Sequence, residues 1–216
     1  TLLHELGLTY YRDGDLSALK DMAEHQLPSL LVRTWQTLVD ADLADQPLAE
    51  HEMAGLAAEA CARLTANPRL AYGATLVAPL ATAGFLLYLQ LGDGDIVVVD
   101  EAGRAARPPL PVDANNFGDT TTSLCMAEAW RTVRSYFQPV VSRPPSLILL
   151  ATDGYANSFV SETDFLLAAE DIYDLLRRQP YEGVHTLRQC LPAWLRATSD
   201  QGSGDDITVG VLYRLP

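Results

Sequence analysis

Positive charge is scarce in this sequence. Twenty-eight Asp and Glu residues stand against 15 Lys and Arg, a formal net charge of −13, and Lys20 is the only lysine. So acidic a surface repels the phosphates of nucleic acids and anionic lipid, so neither nucleic acid nor membrane is expected as a partner. The charge is consistent with simple solubility or with attraction of a basic partner. Cysteine is scarce too: Cys61, Cys125 and Cys190 are far apart and form no CxxC pair. That spacing excludes a disulfide framework and predicts reduced, mostly buried thiols. The histidines His4, His25, His51 and His185 form no HxxxH or HExxH pattern, so a zinc site of that kind is not expected. No apolar run approaches the roughly 18 to 20 residues that span a bilayer. The first residues, TLLHELGLTYYRDGD, lack the basic n-region of a signal peptide. Internal repeats and low-complexity tracts are missing as well. The expectation is a soluble, cytoplasmic protein whose 216 residues form one globular domain.

What is present divides into textures. Residues 15–45 carry Leu16, Leu19, Leu27, Leu30, Leu31, Trp35, Leu38 and Val39 near a 3.6-residue period, which predicts helix, with Pro28 opening a second one. Residues 49–65 are alanine-rich and predict another helix, ended by Asn67-Pro68. The next stretch, GATLVAPLATAGFLLYLQLGDGDIVVVDEAGR, holds three apolar runs separated by turn residues. It predicts an antiparallel meander covered on both faces. Residues 104–125 are loop-like, and 127–141 begin with helical and end with strand character. Ser146 to Thr152 is a strand. Helices are expected at 161–178, opened by SETD, and at 183–198, with Pro192 as a kink. The final run DITVGVLYR is a strand. Helices followed by strands, then a strand, two helices and a strand, point to an α+β arrangement with helices packed outside sheets.

Three aspartates share an address. Asp93 lies in LGDGD, just past an apolar run; Asp153 lies in ATDG, just past LILL; Asp205 lies in GSGDD, just before the last strand. Each has glycine beside it, which permits a sharp turn and a close approach of ligand to backbone. Taken singly, each is also ordinary turn chemistry. If they converge, two carboxylates about 5 Å apart repel by roughly 3 kcal/mol at an effective dielectric near 20. Protonation or a cation relieves that repulsion. Oxygen donors without a Cys or His pattern favour a hard ion, magnesium or manganese.

In combination and order, YGATLV at 72–77, LGDGD at 91–95, LILLATDGYANSF at 147–159 and GDDITVGVLY at 204–213 resemble the motifs of the metal-dependent serine/threonine protein phosphatases of the PPM class, often called type 2C. TTSLCMAEAW and TDGYANSF are similar to a bacterial branch of that family, and the likeness extends over about residues 15 to 216. The resemblance implies a four-layer αββα sandwich, two antiparallel sheets flanked by helices. It implies Asp153 and Asp205 as direct metal ligands, and Asp93 as ligand of an auxiliary ion or partner of metal-bound water. Thr152 and Gly154 would shape the turn, and Asp206 stands where the family commonly has asparagine. The implied cofactors are two or more Mn2+ or Mg2+ ions in the complete site. The implied reaction is attack on the phosphorus of phosphoserine or phosphothreonine by metal-activated water, without a phosphoenzyme. The implied partners are a phosphoprotein substrate and a cognate Ser/Thr kinase.

One family motif has no counterpart. The Asp-Gly-His-Gly-Gly-like segment on an early strand, whose aspartate bridges two metals, does not occur in residues 1–216, and RDGD at 12–15 does not replace it. The early strands of both sheets are missing with it. Residues 1–216 therefore read as a single phosphatase-like catalytic domain without its N-terminal portion, expected to bind metal weakly by itself. The alternative reading is a catalytically inactive, phosphatase-like binding or regulatory module. A third class, hydrolases with an aspartate nucleophile, wants a second aspartate two positions after Asp153, where Tyr155 stands.

Overall fold

The structure is a computed structural model and describes residues 14–112, 121–141 and 143–215. It is an α+β fold with two antiparallel sheets and six α-helices among the described residues. Part of the loop expected around NNFGDTTTS, residues 113–120, lies outside them, as do residues 1–13.

The described chain forms two compact units. One holds the chain up to Leu76 together with Leu89–Gly92 and Val112–Ser135. Its helices are α1 (Leu16–His25), α2 (Leu27–Asp45) and α3 (Ala58–Ala66). Asp15 caps α1 by accepting a hydrogen bond from the Ala18 N–H at 2.9 Å, so the second aspartate of RDGD serves a helix start. Pro28 sits in the first turn of α2, as its sequence position predicts. Leu19, Met22, Ala23, Leu27, Val32 and Val39 are buried along these two helices. The alanine-rich segment departs from expectation, because helix begins only at Ala58. Gly55 adopts φ +95° and Ala57 is extended, so residues 49–57 form turns despite their alanines.

The other unit holds Val77–Tyr88, Asp93–Pro111 and Tyr136–Pro216. Strands β1 (Leu76–Ala81), β2 (Phe85–Leu91) and β5 (Arg134–Pro139) form a sheet in the order β1-β2-β5. Strands β3 (Asp95–Val99), β4 (Ala105–Ala106), β6 (Leu147–Ala151) and β7 (Val209–Tyr213) form the second, in the order β4-β3-β6-β7. The expected three-run meander is thus corrected: β2 and β3 belong to different sheets. Gly92, at φ +87°, turns the chain between them in a conformation that a side-chain-bearing residue rarely adopts.

Within this unit the period-2 alternation of β3 and β6 separates two cores. Ile96, Val98, Ile148 and Leu150 face Val77, Leu86, Tyr88 and Tyr136 of the first sheet. Val97, Val99, Leu147, Leu149 and Ala151 face the helices α5 (Glu162–Arg178) and α6 (Pro180–Gln201). Strands buried on both sides need no polar positions, which is why these runs are continuously apolar. Ser161 caps α5, accepting from the Asp164 N–H at 3.2 Å. α6 starts and ends three residues beyond the expected 183–198 and carries Pro192 inside it.

Candidate functional site

The register of the second sheet brings three turns to one end. Asp95, at the start of β3, pairs with Ala151 at the end of β6, and Ala151 pairs with Val209 at the start of β7. Neighbouring strands lie about 4.8 Å apart. The residues just beyond those strand ends, Asp93, Asp153 and Asp205, therefore share one rim.

Asp153 opens α4 (Asp153–Ala156), a single turn that follows β6 directly. Tyr155 anchors this turn in the core, buried and edge-on to Phe159 and Phe165 at centroid distances of 5.2 and 5.7 Å. Burial pushes its phenol pKa up, with the nearby Asp171 charge adding to the effect. Gly154 marks the closest approach. A Cβ built on it would lie 2.8 Å from the Asp206 carbonyl oxygen, 3.2 Å from the Asp205 Cβ and 3.5 Å from the Asp205 Cγ. Only a hydrogen fits there, and its absence of bulk lets the Asp205 carboxyl stand against the residue bonded to Asp153.

Thr152 ties the strand ends together. Its N–H donates to the Thr208 carbonyl at 3.0 Å, its hydroxyl accepts from the Thr208 N–H at 2.9 Å and reaches the Asp206 carbonyl at 3.3 Å. The Asp206 N–H donates to Asp205 Oδ1 at 2.8 Å, which orients that carboxylate. Asp153 is half-buried, whereas Asp205 and Asp206 are exposed, so solvent reaches the site.

Asp93 is half-buried in the turn before β3. A Cβ on the adjacent Gly94 would lie 2.9 Å from the Ala151 carbonyl oxygen, so this turn presses on the last residue of β6. Among the described residues no three His, Cys, Asp or Glu side chains come close enough together to hold a metal ion. Of the three turns, those of Asp153 and Asp205 meet at Gly154, where an added Cβ would lie 3.2 Å from the Asp205 Cβ.

Two features escape sequence reasoning. Asp95, two residues past Asp93, has a side chain only 8% exposed and forms an ion pair with Arg107. Arg107 also donates from Nε to Glu162 at 2.9 Å and lies 5.4 Å from the centre of the Phe165 ring. Its only sequence signal is an acidic residue at the very start of an apolar run. The second feature is a set of serine hydroxyls between the Asp153 and Asp205 turns. Ser158 and Ser203 both reach the Gly154 carbonyl, at 2.7 and 2.9 Å, and Ser199 donates to the Asp205 carbonyl at 2.6 Å. Serines 45 positions apart leave no local pattern to read.

The family model PP2C_2, described as Protein phosphatase 2C, matches residues 9–196. No curated protein matches the chain.

Proposed function

Because the chain belongs to the protein phosphatase 2C family, we propose that it hydrolyses phosphoserine and phosphothreonine in protein substrates, with manganese or magnesium as cofactor. The family is generally metal-dependent. The observation that carries the reading is the contact of the two turns: the Asp205 Cγ lies 3.5 Å from where a Gly154 Cβ would be. Carboxylate oxygens are the donors that hard divalent cations prefer. The bare Gly154 leaves room for them to meet, so the residues present fit such a cation in donor chemistry. They supply part of a coordination shell, since among the described residues no third acidic side chain completes the group.

Asp153 and Asp205 would hold the cation, with Asp93 at the neighbouring strand end. When bound, the cation would neutralise phosphate oxygens and activate water. The chain's own residues do the positioning. Thr152 fixes the spacing of β6 and β7, the buried Tyr155 keeps α4 seated, and the Asp206 N–H holds one oxygen of Asp205. A phosphate dianion approaching this rim meets aspartates of the same sign, and that repulsion makes cation loading a condition of substrate binding. Free Cys61, Cys125 and Cys190 agree with a reducing, cytoplasmic setting. No described helix is long and apolar enough to cross a membrane.

Turnover of p-nitrophenyl phosphate and of a phosphothreonine peptide with added Mn2+ tests the reading. Asp153→Asn and Asp205→Asn are each expected to lower the rate by about a hundredfold or more, through loss of electrostatic stabilisation of the transition state. Undiminished turnover in both variants overturns it. The incomplete group of acidic side chains favours a second reading, a phosphatase-like binding module. It is the better account if the chain binds a phosphopeptide without turning it over in saturating Mn2+.

A further inference from the structure

The geometry points to Ser158 and Ser203 as positioning residues that set the separation of the Asp153 and Asp205 carboxylates, and so the affinity of the rim for a divalent cation. The inference rests on the metal-dependent reading above and assigns to it two residues outside the pair of carboxylates that would hold the ion.

Three oxygens make a closed triangle. Ser158 Oγ stands 2.7 Å from the Gly154 carbonyl oxygen, Ser203 Oγ stands 2.9 Å from it, and the two hydroxyls are 2.9 Å apart. Two hydroxyl protons serve these three contacts, so hydrogen bonds occupy two sides at any time. In each arrangement at least one proton reaches the Gly154 carbonyl. The same hydroxyls accept backbone N–H groups: Ser158 from Ser203 at 3.3 Å, Ser203 from Asp205 at 3.2 Å. A continuous path of hydrogen bonds therefore runs from the residue after Asp153 to the backbone of Asp205 itself.

Packing reinforces the path. A Cβ on Gly202 would sit 2.6 Å from the Cα, Cβ and carbonyl oxygen of Ser158. The loop carrying Asp205 is thus laid directly on the Ser158 backbone, and Ser199 Oγ holds the Asp205 carbonyl from the end of α6 at 2.6 Å. The exposed loop 202–206 has few other restraints from apolar packing, since all five residues are exposed. An exposed acidic loop would otherwise drift from a second carboxylate, because like charges repel. The serine triangle opposes that drift. It does so through neutral groups, which leave the charge of the rim available to the cation.

The experiment is Mn2+ binding to the full chain, read by electron paramagnetic resonance of the free ion. The variants are Ser158→Ala, Ser203→Ala, the double substitution, Ser203→Thr, Gly202→Ala and Asp153→Asn. Each single alanine is expected to raise the dissociation constant about threefold to tenfold, the worth of one hydrogen bond. The double should raise it by less than the product of the singles, because each alone already opens the triangle. Ser203→Thr, which keeps the hydroxyl, should bind within about twofold of wild type. Gly202→Ala keeps both hydroxyls and displaces the loop by contact, and should weaken binding as the alanines do. Melting curves in EDTA separate this from a merely structural role, which would lower the melting temperature and leave the dissociation constant alone. Wild-type affinity in both alanine variants and in Gly202→Ala, with binding lost in Asp153→Asn, overturns the inference and spares the functional reading. Wild-type affinity in Asp153→Asn, or no Mn2+ bound by the wild-type chain, overturns both.

Discussion

Asp153 and Asp205 are 52 positions apart, and a hydrogen-sized gap at Gly154 decides how close they come. Gly154→Ala would place a methyl group 2.8 Å from the Asp206 carbonyl and 3.2 Å from the Asp205 Cβ, so the loop must move. We expect a stability loss of about 1–3 kcal/mol in urea unfolding, together with weaker Mn2+ binding. The Asp95–Arg107 pair gives a contrasting case, in which the cost is of charge and not of volume. Arg107→Ala leaves an 8% exposed carboxylate without its guanidinium. We expect a loss of about 2 kcal/mol, seen as a drop of several degrees in melting temperature, and a milder effect for Asp95→Asn. At this scale the sequence announces the aspartates, because carboxylates at the ends of apolar runs demand an explanation. It hides Ser158 and Ser203, since their meeting depends on how far α6 runs before the chain turns back, and hydroxyls suit any loop.

Strand runs and helix periods were legible wherever one physical pattern governed a whole segment. LILLA reads as a strand because both its faces are buried, and 161–178 reads as a helix because Ser161 and the acidic first turn mark its start. Ser161→Ala is expected to cost about 1 kcal/mol in chemical denaturation by removing the bond to the Asp164 N–H. Two readings failed for reasons that propensity does not contain. Alanines at 49–57 favour helix, but Gly55 in the left-handed region and the extended Ala57 postpone it to Ala58. The turn after β2 looks like a hairpin, yet Gly92 sends β3 to the other sheet. Local sequence specifies that a turn occurs there; which strand β3 then pairs with depends on β6, about fifty residues later.

The chain as a whole responds to pH through groups spread over both units. Arg69 holds the Asp40 carboxyl below its ordinary range, the Arg104 backbone and side chain do so for Asp100, and Arg143 and Arg214 do so for Glu101. Carboxylates with lowered folded pKa values stabilise above the unfolded value, and that contribution fades as pH falls below about 4. Buried Tyr88 and Tyr155 have the opposite sign. Desolvation raises both phenols, so their contribution is intact below about pH 10 and is lost as pH climbs beyond it. Melting temperature against pH should show a plateau between about 5 and 10, and Tyr88→Phe should flatten its alkaline shoulder. Composition alone foresaw the acidic surface, but the alkaline limb needed the burial of particular rings.

The outer border of the second sheet has a further consequence. On one flank the short β4 runs into Arg107-Pro108-Pro109, and proline cannot donate to another ladder. On the other flank β7 has a neighbour on one side only among the described residues, and its run Val209, Gly210, Val211, Leu212, Tyr213 carries no charge. A strand of that kind templates its own copies. In concentrated solution the molecule is expected to stick to itself along β7, as sedimentation velocity would reveal. A single charge in place of Leu212, a residue already 41% exposed, should keep it dispersed.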